Sequence, residues 1–357
     1  MKPVQGHLEI MDQGYGFLRD IDRNFQPDKD NIYVPNSMIT ELSLKEGSYI
    51  EGVGDHLIPG NKNAALVNIE TINHFPVDDV PQTPYLQDQI SINPFERLCL
   101  IHDDDDLTGK ALEMIVPIGM GQRGLIIAPP KSGKTTILKH MANAVTINHP
   151  EAKVFILLVD ERPEEVTEFQ RGLTNAHVLY SSADQQIGQH MRMTRLAMHT
   201  AIRHTENGED AVVFIDSLTR MTRAFNADTD SHGKTLTGGL GANTMEIPRK
   251  IFGAARKLEN GGSLTIIATI LVDTGSRMDD IIFQEFKGTG NMDLVLSRKC
   301  AEKRIWPAIN INESGTRKEG LLMDEAAYDH MINLRRQVAD MEEVAAMSSF
   351  LDLLKNE

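Results

Sequence analysis

Cysteine, tryptophan and long apolar runs are scarce in this sequence of 357 residues. Its two cysteines, Cys99 and Cys300, lack the spacing of a metal site and predict two ordinary reduced thiols in a cytoplasmic protein. No stretch approaches the roughly 18 consecutive apolar residues that a membrane-spanning helix needs. The polar residues 1–3 are not expected of a secretory signal either. These absences exclude a disulfide scaffold and a membrane-embedded protein, so we expect no membrane partner.

Positive charge is also in short supply, because 36 Lys and Arg residues face 51 Asp and Glu residues, a net charge of −15. Residues 1–110 carry 8 basic and 19 acidic residues, a net charge of −11, whereas residues 111–357 carry 28 and 32, a net charge of −4. A field of this sign repels polyanions beyond a screening length of roughly 8–10 Å. Any contact with nucleic acid must therefore be local, made by individual cations, loops or stacking aromatics.

The chain divides into two patterns. Short β-prone segments at residues 7–10, 13–19, 31–34, 49–53 and 64–69, separated by Gly, Pro, Asp and Asn, predict a small barrel. Four prolines within residues 75–94 predict an extended connector. We therefore predict a small all-β domain over residues 1–75, a connector over 76–110 and a larger domain over 111–357.

The larger domain alternates apolar runs with amphipathic stretches. Its runs lie at residues 124–128, 154–159, 211–215 and 264–269, and its helical stretches lie at 136–148, 164–171 and 191–204. Apolar runs of this length without polar alternation fit strands buried on both faces of a parallel sheet. The order predicts an α/β fold with crossover connections. Asp103–Asp106, just before this domain, is expected to be a solvated acidic loop.

A phosphate-binding loop is the strongest functional signal. Residues 128–135 read Ala-Pro-Pro-Lys-Ser-Gly-Lys-Thr between a predicted strand and a predicted helix. Phosphate oxygens require backbone N–H donors, a cation and a hydroxyl group for Mg²⁺, which Gly133, Lys134 and Thr135 supply at a helix start. Ala128 replaces the usual first glycine, but the strand–loop–helix setting still indicates ATP binding. The predicted nucleotide contacts are Pro129, Pro130, Lys131, Ser132, Gly133, Lys134, Thr135 and Thr136.

Two carboxylates follow predicted strands at the edge where parallel sheets bind ligands. We interpret Asp216 as the acid that helps to hold Mg²⁺, through water or through Thr135. We interpret Glu161 as the base that orients or deprotonates the attacking water. Either residue could instead be a solvated acid at a strand end, but together with Lys134 they form a specific catalytic set.

Three arginines are further candidates. Arg317 lies in a turn-like segment, and an arginine inserted into such an active site accelerates phosphoryl transfer by about 10³–10⁵. The sequence leaves open whether Arg317 enters a neighbouring subunit's site or forms a surface salt bridge. Arg162 and Arg220 lie close in sequence to the pocket acids. They could contact phosphates or link subunits. Equally, they could be structural partners of those acids.

Two segments rich in glycine and hydroxyl groups follow later strands. Residues 230–239 offer Lys234, Thr235 and Thr237, and residues 273–277 offer Arg277. In a ring-shaped assembly, loops at these positions would line the central hole and contact an RNA backbone. The alternative is that both are ordinary surface loops.

Aromatic residues alternate with a cation in the first domain. Tyr15, Phe17 and Arg19 share one face of a predicted strand, and Tyr33 lies on the next strand. Exposed aromatics on a small barrel form a platform for single-stranded RNA worth roughly 1–3 kcal/mol per base, whereas buried ones would only fill the core. Because a face that carries Arg19 is unsuited to a core, we favour the platform.

Together these motifs resemble the Rho family of bacterial transcription termination factors over about residues 6–354. The matching motifs are residues 14–19 (GYGFLR), 121–126 (GQRGLI), 129–135 (PPKSGKT), 160–168 (DERPEEVTE), 252–256 (FGAAR), 285–292 (EFKGTGNM) and 314–319 (SGTRKE). The resemblance implies an OB-fold, cold-shock-like RNA-binding domain followed by a RecA-like P-loop motor domain of α/β class. It also implies a homohexameric, RNA-dependent ATPase and 5′-to-3′ RNA–DNA helicase that acts on nascent RNA in an RNA polymerase transcription complex.

The resemblance assigns roles to individual residues. It implies that Lys134 and Thr135 hold the phosphates and Mg²⁺ beside Asp216, that Glu161 is the catalytic base and that Arg317 is the arginine finger of the neighbouring subunit. Other pocket residues implied are Lys131, Arg162, Arg220 and Trp306, the last standing where the family usually has a phenylalanine stacked on adenine. The implied pore-loop residues are Lys234, Thr235, Thr237 and Arg277, and the implied primary RNA site is Tyr15, Phe17, Arg19 and Tyr33.

The sequence departs from the family pattern in places. It starts almost at the predicted barrel, so we expect a form without the N-terminal helical lead, and Arg277 stands where a lysine is usual. The strongly acidic barrel region leaves open how strongly RNA loads on the barrel. Two other interpretations stay open: a Rho-like paralogue acting as an RNA-binding or regulatory ATPase with little unwinding, and a subunit of the rotary ATP-synthase type.

Overall fold

The structure is a computed structural model that describes residues 1–55, 64–229 and 244–356. Its first elements are β1 (Lys2–Ile10), β2 (Gly16–Arg19), β3 (Ile32–Val34), α1 (Asn36–Glu41), β4 (Tyr49–Asp55), β5 (Ala65–Ile72) and β6 (Phe75–Pro76). These strands form one sheet in the order β3-β2-β1-β4-β5-β6, and a further pairing of β3 with β5 closes it. Leu8, Leu18 and Ile50 fill the interior. The predicted small barrel is therefore confirmed.

The rest of the chain builds a second sheet covered by helices. Its elements, with those that precede it, are β7 (Ser91–Ile92), β8 (Arg97–Leu98), α2 (Leu107–Ile115), β9 (Ile118–Gly119), β10 (Arg123–Ala128), α3 (Lys134–Asn148), β11 (Lys153–Glu161), α4 (Pro163–Gly172), β12 (Ala176–Ser182), α5 (Ile187–Glu206), β13 (Asp210–Asp216), α6 (Leu218–Thr229), α7 (Glu246–Gly253), β14 (Arg256–Leu258), β15 (Ser263–Leu271), α8 (Arg277–Phe286), β16 (Met292–Val295), α9 (Arg298–Glu302), β17 (Gly315–Thr316), α10 (Glu325–Val338) and α11 (Glu343–Lys355). Within the described ranges, no helix has the length and apolar character needed to cross a membrane.

The sheet runs in the order β12-β11-β13-β15-β10-β16-β17. All strands from β12 to β16 along this path are parallel, and β17 is antiparallel at one edge. The four predicted apolar runs fall within β10, β11, β13 and β15, which confirms them. Because β10, β11 and β13 point the same way, the loops that follow them meet at one edge of the sheet.

The sheet is buried on both faces, which explains why its strands lack polar alternation. Ile126 of β10 belongs to the apolar cluster that contains Leu138 of α3. The next residue back, Leu125, belongs to the cluster on the other face, which contains Leu196 of α5. Successive residues of one strand therefore pack against helices on opposite faces of the sheet. The sheet thereby gives the pocket loops a rigid base.

The barrel packs directly against the second sheet, a contact that the sequence did not predict. Phe25 is fully buried in the same apolar cluster as Met193 and Leu196 of α5. The Asn24 amide donates to the Tyr180 carbonyl at 2.7 Å and accepts from the Tyr180 N–H at 2.9 Å. Asn24 thereby completes the backbone pairing of β12 at its outer edge, and the barrel is anchored next to the sheet.

The acidic segment before α2 is solvated only in part. Asp103, Asp104 and Asp105 are exposed. The Asp106 side chain is only 7% exposed, because it caps α2 by accepting a hydrogen bond from the Gly109 N–H at 2.9 Å. The expectation of a fully solvated loop is therefore wrong at Asp106.

Candidate nucleotide and RNA sites

The loop between β10 and α3 has the shape of a phosphate cradle. Gly133 caps α3 with φ at 89°, a left-handed conformation that favours glycine. The Trp306 ring lies against Gly133, so a Cβ atom there would collide with it. Ser132 is buried and its hydroxyl donates to the Pro129 carbonyl at 2.7 Å. The loop is thus held from inside, and the free N–H groups at the start of α3 are available to an anion.

The other predicted loop residues lie on the rim of this cradle. Pro130, Lys131 and Thr136 are exposed, and Thr135 is half-buried. Lys131 has a positive φ of 64°, which belongs to the tight turn of the loop. These positions place one exposed cation and two hydroxyl groups where a bound phosphate chain would pass.

Lys134 and Asp216 meet at the centre of the pocket. The Lys134 ammonium forms an ion pair with Asp216 Oδ1, and the Thr269 hydroxyl donates to the same oxygen at 2.8 Å. Asp216 is fully buried at the end of β13, and its Oδ2 has no hydrogen-bond partner among the described residues. A buried carboxylate requires compensation. Lys134 supplies it here, and the unpaired Oδ2 is left to face a further ligand.

Glu161 lies at the end of β11 and is 1% exposed. Burial, followed by the charge of Asp216, raises the pKa of Glu161 to about 7. Arg220 Nη2 lies 3.2 Å from Glu161 Oε1, and the same guanidinium donates to the Asp160 carbonyl. Arg220 is therefore a partner of the pocket acids in this structure. A carboxylate with a pKa near neutrality is a stronger base than an ordinary glutamate.

Glu165 is a pocket residue that the sequence analysis missed. The Thr135 hydroxyl lies 3.5 Å from its Oε2, and oxygens of Glu161, Glu165 and Asp216 lie within 4.8 Å of one another. Acids are common in the first turn of any helix, here α4, because they complement the helix dipole, so the sequence did not single this one out. The buried Glu161 Oε2 and Asp216 Oδ2 have no hydrogen-bond partner in the described ranges. An all-oxygen set with unpaired atoms fits a hard cation such as Mg²⁺.

Arg317 does not join the pocket of its own chain. Thr316 pairs with Met292, which pairs with Gly124 near the start of β10. The cradle begins only after Ala128, about 13 Å further along the strand at roughly 3.3 Å per residue. Arg317 is exposed, and its N–H donates to the Asn291 carbonyl at 2.8 Å. It is therefore held near the amino ends of the parallel strands, whereas the cradle lies at their carboxyl ends.

Two further predicted cations lie at the pocket edge of the sheet. Arg162 precedes α4 and Arg277 begins α8, and both are exposed. The turn before Arg277 is held by the buried Asp279, which accepts from the Thr274 hydroxyl at 2.6 Å and from Arg223 Nε at 2.9 Å. The predicted RNA contacts Lys234, Thr235 and Thr237 lie outside the described residues.

Three aromatic rings form a compact cluster on the barrel. The centroid of the Tyr15 ring lies 5.8 Å from that of Phe17 and 5.5 Å from that of Tyr33, and Phe17 and Tyr33 are 6.0 Å apart. Phe17 and Tyr33 are directly paired between β2 and β3. All three rings are half-buried and lie outside the barrel core. The cluster thus keeps ring surface available to a nucleic-acid base.

The expectation that Arg19 is exposed is wrong, although the face that it shares with Tyr15 and Phe17 lies outside the barrel core. Arg19 is only 5% exposed, and its Nε donates to Glu9 Oε2 at 2.6 Å. Glu9 is buried where the barrel meets α5 and also pairs with Arg192 at 2.5 Å, so it needs nearby positive charge. The Arg19 guanidinium lies 4.7 Å from the centre of the Phe17 ring. Arg19 therefore contacts the Phe17 ring of the platform and is not a solvent-exposed cation.

This fold and pocket define a P-loop nucleoside triphosphatase of the RecA-like class that carries a small OB-like barrel. Residues 109–316 match the nucleotide-binding domain of the ATP synthase alpha/beta family, and residues 4–78 match the RNA-binding domain of the Rho termination factor. The chain is 45% identical to transcription termination factor Rho of Aquifex aeolicus, covering 99% of this chain and 81% of that protein. It is 43% identical to Rho of Chromobacterium violaceum, covering 98% and 84%. The chain belongs to the Rho family of transcription termination factors.

A solved ATPase from the type III secretion system of pathogenic bacteria shares the fold. It aligns with a TM-score of 0.61 at 22% identity, over 70% of each chain. The Rho relatives match nearly the whole chain, barrel included, which sets aside the rotary-subunit interpretation. Family and fold together make the chain a nucleotide-binding ATP hydrolase with an RNA-binding domain.

Proposed function

We propose that the chain terminates transcription as a ring-shaped RNA translocase. In this proposal a cytoplasmic homohexamer binds nascent single-stranded RNA, hydrolyses ATP and moves along the RNA as a helicase until it dislodges the RNA polymerase complex. Residues 1–75 would bind RNA, 76–110 connect and 111–357 form the motor. The observation that carries the proposal is the presence, in one Rho-family chain, of the aromatic cluster at Tyr15, Phe17 and Tyr33 and the pocket at Lys134 and Glu161.

ATP hydrolysis in this proposal uses the residues that already meet at the pocket. Lys134 would exchange its contact with Asp216 for the β- and γ-phosphates, and the N–H groups at the start of α3 would bind the phosphate oxygens. Asp216, Thr135 and Glu165 would hold Mg²⁺, which neutralises phosphate charge. Glu161 would take the proton of the attacking water, and Trp306 would stack on the adenine beside Gly133.

The position of Arg317 supports hydrolysis between subunits. An arginine held far from its own pocket, yet exposed at the sheet edge, can stabilise the transferring phosphoryl group only in another copy of the chain. The pocket would therefore be complete only in the assembled ring. Arg317→Ala and Lys134→Ala proteins, each inactive alone, should recover part of the ATPase activity when mixed, because mixed rings contain some intact interfaces.

RNA movement would be driven by residues 273–277, at the pocket edge of the sheet, together with residues 230–239. Arg277, with Lys234, Thr235 and Thr237, would contact the phosphate backbone inside the ring. Asp216 ends β13, the strand that precedes residues 230–239 in the chain, and its partner Thr269 lies on β15, the strand that precedes residues 273–277. The proposal therefore gives nucleotide-dependent changes at Asp216 a direct route to the RNA.

The test is the ATPase rate with and without poly(C) at two salt concentrations. We expect a low basal rate that RNA raises severalfold, and a salt dependence that reports phosphate contacts. Phe17→Ala should weaken RNA binding by about 5–150-fold, the equivalent of roughly 1–3 kcal/mol for one stacked base. Phe95→Ala, an exposed phenylalanine outside the cluster, is the matched control. An ATPase rate that ignores RNA would refute translocation.

Unwinding is tested separately on an RNA–DNA hybrid with a single-stranded RNA tail. We expect release of the DNA strand only with ATP. Tail binding and RNA-stimulated hydrolysis without release would instead favour the regulatory interpretation, in which the chain occupies RNA but unwinds little.

A further inference from the structure

A second group of convergent ligand atoms lies outside the nucleotide pocket, at His102, Asp106 and His140. One nitrogen of each imidazole and one carboxylate oxygen all lie within 4.8 Å of one another. His102 lies in the loop before α2, Asp106 caps α2 and His140 lies on α3. Groups from two segments, residues 102–106 and helix α3, therefore meet at one point.

Hydrogen bonding determines which nitrogen of His102 faces this point. Its Nε2 lies 3.1 Å from the His140 carbonyl oxygen, which can only accept, so Nε2 carries the hydrogen. In the neutral ring, Nδ1 then presents a lone pair 3.7 Å from Asp106 Oδ2. A lone pair and a carboxylate repel each other unless a proton or a metal cation lies between them. A backbone carbonyl that receives the other ring N–H is the usual support of a metal-binding histidine.

His140 presents a second nitrogen to the same oxygen. Its Nε2 lies 3.3 Å from Asp106 Oδ2, yet it is buried and makes no well-directed hydrogen bond to any described residue. The ring centroids of His102 and His140 are 4.2 Å apart, so two protonated rings would repel strongly.

Asp106 is oriented for the role of a shared ligand. Its Oδ1 accepts from the backbone N–H of Gly109 at 2.9 Å, and its Oδ2 accepts from the backbone N–H of His102 at 2.9 Å. The 3.3 and 3.7 Å separations between Oδ2 and the ring nitrogens exceed a charge-assisted hydrogen bond of about 2.7–2.9 Å. They approach the roughly 3.3 Å between ligand atoms that each lie about 2.0–2.1 Å from a tetrahedral ion.

We propose that His102, Asp106 and His140 bind a divalent transition-metal cation of the Zn²⁺ class, with water in the remaining position. Two imidazole nitrogens and one carboxylate suit Zn²⁺, whereas Mg²⁺ and Ca²⁺ take oxygen ligands. The exposed Asp103–Asp105 add negative charge in the same loop. The metal would join the loop before α2 to α3, the helix that starts in the phosphate cradle, and would stabilise that junction.

The test is titration of the metal-free full chain with Co²⁺, followed by Zn²⁺. We expect one tetrahedral Co²⁺ per chain, detected by its intense visible absorption, displacement of this ion by Zn²⁺, and a higher Tm with Zn²⁺. His102→Ala and His140→Ala should each weaken Co²⁺ binding at least about tenfold, since even outer-sphere changes cost about 10–100-fold. Asp106→Asn should do the same while it keeps the helix cap, because asparagine caps as well as aspartate.

Two control variants separate this site from other histidines and carboxylates. His74→Ala removes an exposed histidine that lies 3.9 Å from Glu51, away from the cluster, and should bind Co²⁺ like the wild type. Glu165→Gln removes an acid of the nucleotide pocket and should leave the Co²⁺ absorption unchanged. The proposal is overturned if the wild type shows no tetrahedral absorption, or if the cluster variants bind Co²⁺ as tightly as the wild type. Either result would leave the cluster as rings that share a proton with Asp106.

Discussion

Glu161→Gln is expected to stabilise the nucleotide-free protein at pH 8 while it abolishes ATP hydrolysis. Burial, with help from the Asp216 charge, raises the pKa of Glu161 from 4.5 to about 7. At pH 8 the folded protein must therefore hold an ionised carboxylate where burial opposes the charge. Glutamine has nearly the same shape and carries no charge, so it avoids this penalty but cannot accept a proton from water.

The size of the effect follows from the same pKa. One pKa unit corresponds to about 1.4 kcal/mol, so the rise to about 7 sets an upper bound of about 3 kcal/mol on the folding free energy lost by ionisation. That pKa already includes the opposing effect of the Lys134 and Arg220 charges, so we expect a net gain of about 1–3 kcal/mol. At about 2 °C per kcal/mol for a domain of this size, the Tm at pH 8 should rise by about 2–6 °C.

The sign of the pH dependence is specific. Between the unfolded pKa of 4.5 and the folded pKa of about 7, the folded chain holds a proton that the unfolded chain releases. Stability from this group is therefore fully present below about pH 4.5 and is lost as the pH rises through about 7. The stability difference between variant and wild type should accordingly be large at pH 8 and small at pH 5. The wild-type ATPase rate should rise through pH 7 as Glu161 becomes a base.

Thermal unfolding at pH 5 and pH 8 without nucleotide measures the difference, and RNA-stimulated ATPase assays measure the loss of turnover. Glu164→Gln is the matched control, because Glu164 is an exposed acid on the adjacent helix α4, and it should change neither quantity. A Glu161→Gln protein that is less stable than the wild type at pH 8, or equally shifted at both pH values, would refute the argument from burial.

Two substitutions and one fluorescence measurement test the remaining contacts. Lys134→Ala removes the partner of a buried carboxylate and the phosphate cation, so nucleotide binding and Tm should both fall, whereas Lys139→Ala, on the same helix, should preserve both. Trp306 is the single tryptophan of the chain and lies against the cradle, so ATP should change the intrinsic fluorescence; an unchanged signal on saturation would contradict its place in the pocket. Burial opposes ionisation of Glu9, but Arg192 and Arg19 outweigh burial and lower its pKa, so Arg192→Ala should cost about 1–3 kcal/mol in urea unfolding at pH 7. That cost should shrink as the pH falls through the depressed pKa, and a loss of equal size in acid would argue against the ion pair.

Local pattern was enough to predict much of the molecule. The apolar runs at residues 124–128, 154–159, 211–215 and 264–269 are all in strands, because a strand buried on both faces is apolar at every position. The phosphate cradle and the acids at the ends of β11 and β13 were also predictable. Strand ends in a parallel sheet share one edge, and the cradle's chemistry is contained in a few consecutive residues.

Features that depend on partners distant in sequence were not predictable. Glu9 and Arg192 are separated by 183 positions. Glu9 is buried where these two parts of the chain meet, and Arg19 is buried because it pairs with Glu9 there. Glu165 looked like any acid in the first turn of a helix until Thr135 was placed next to it. His140 likewise showed no sign of a ligand role until α3 was placed next to Asp106.

The sequence by itself therefore determined that this is a Rho-type ATPase with a nucleotide cradle at Lys134. That chemistry resides in short contiguous motifs whose geometry is local. The tertiary structure alone decided that Arg317 lies away from its own pocket and that two histidines meet one carboxylate. Such contacts are made by the packing of whole elements, and no periodicity along the chain records which element packs on which.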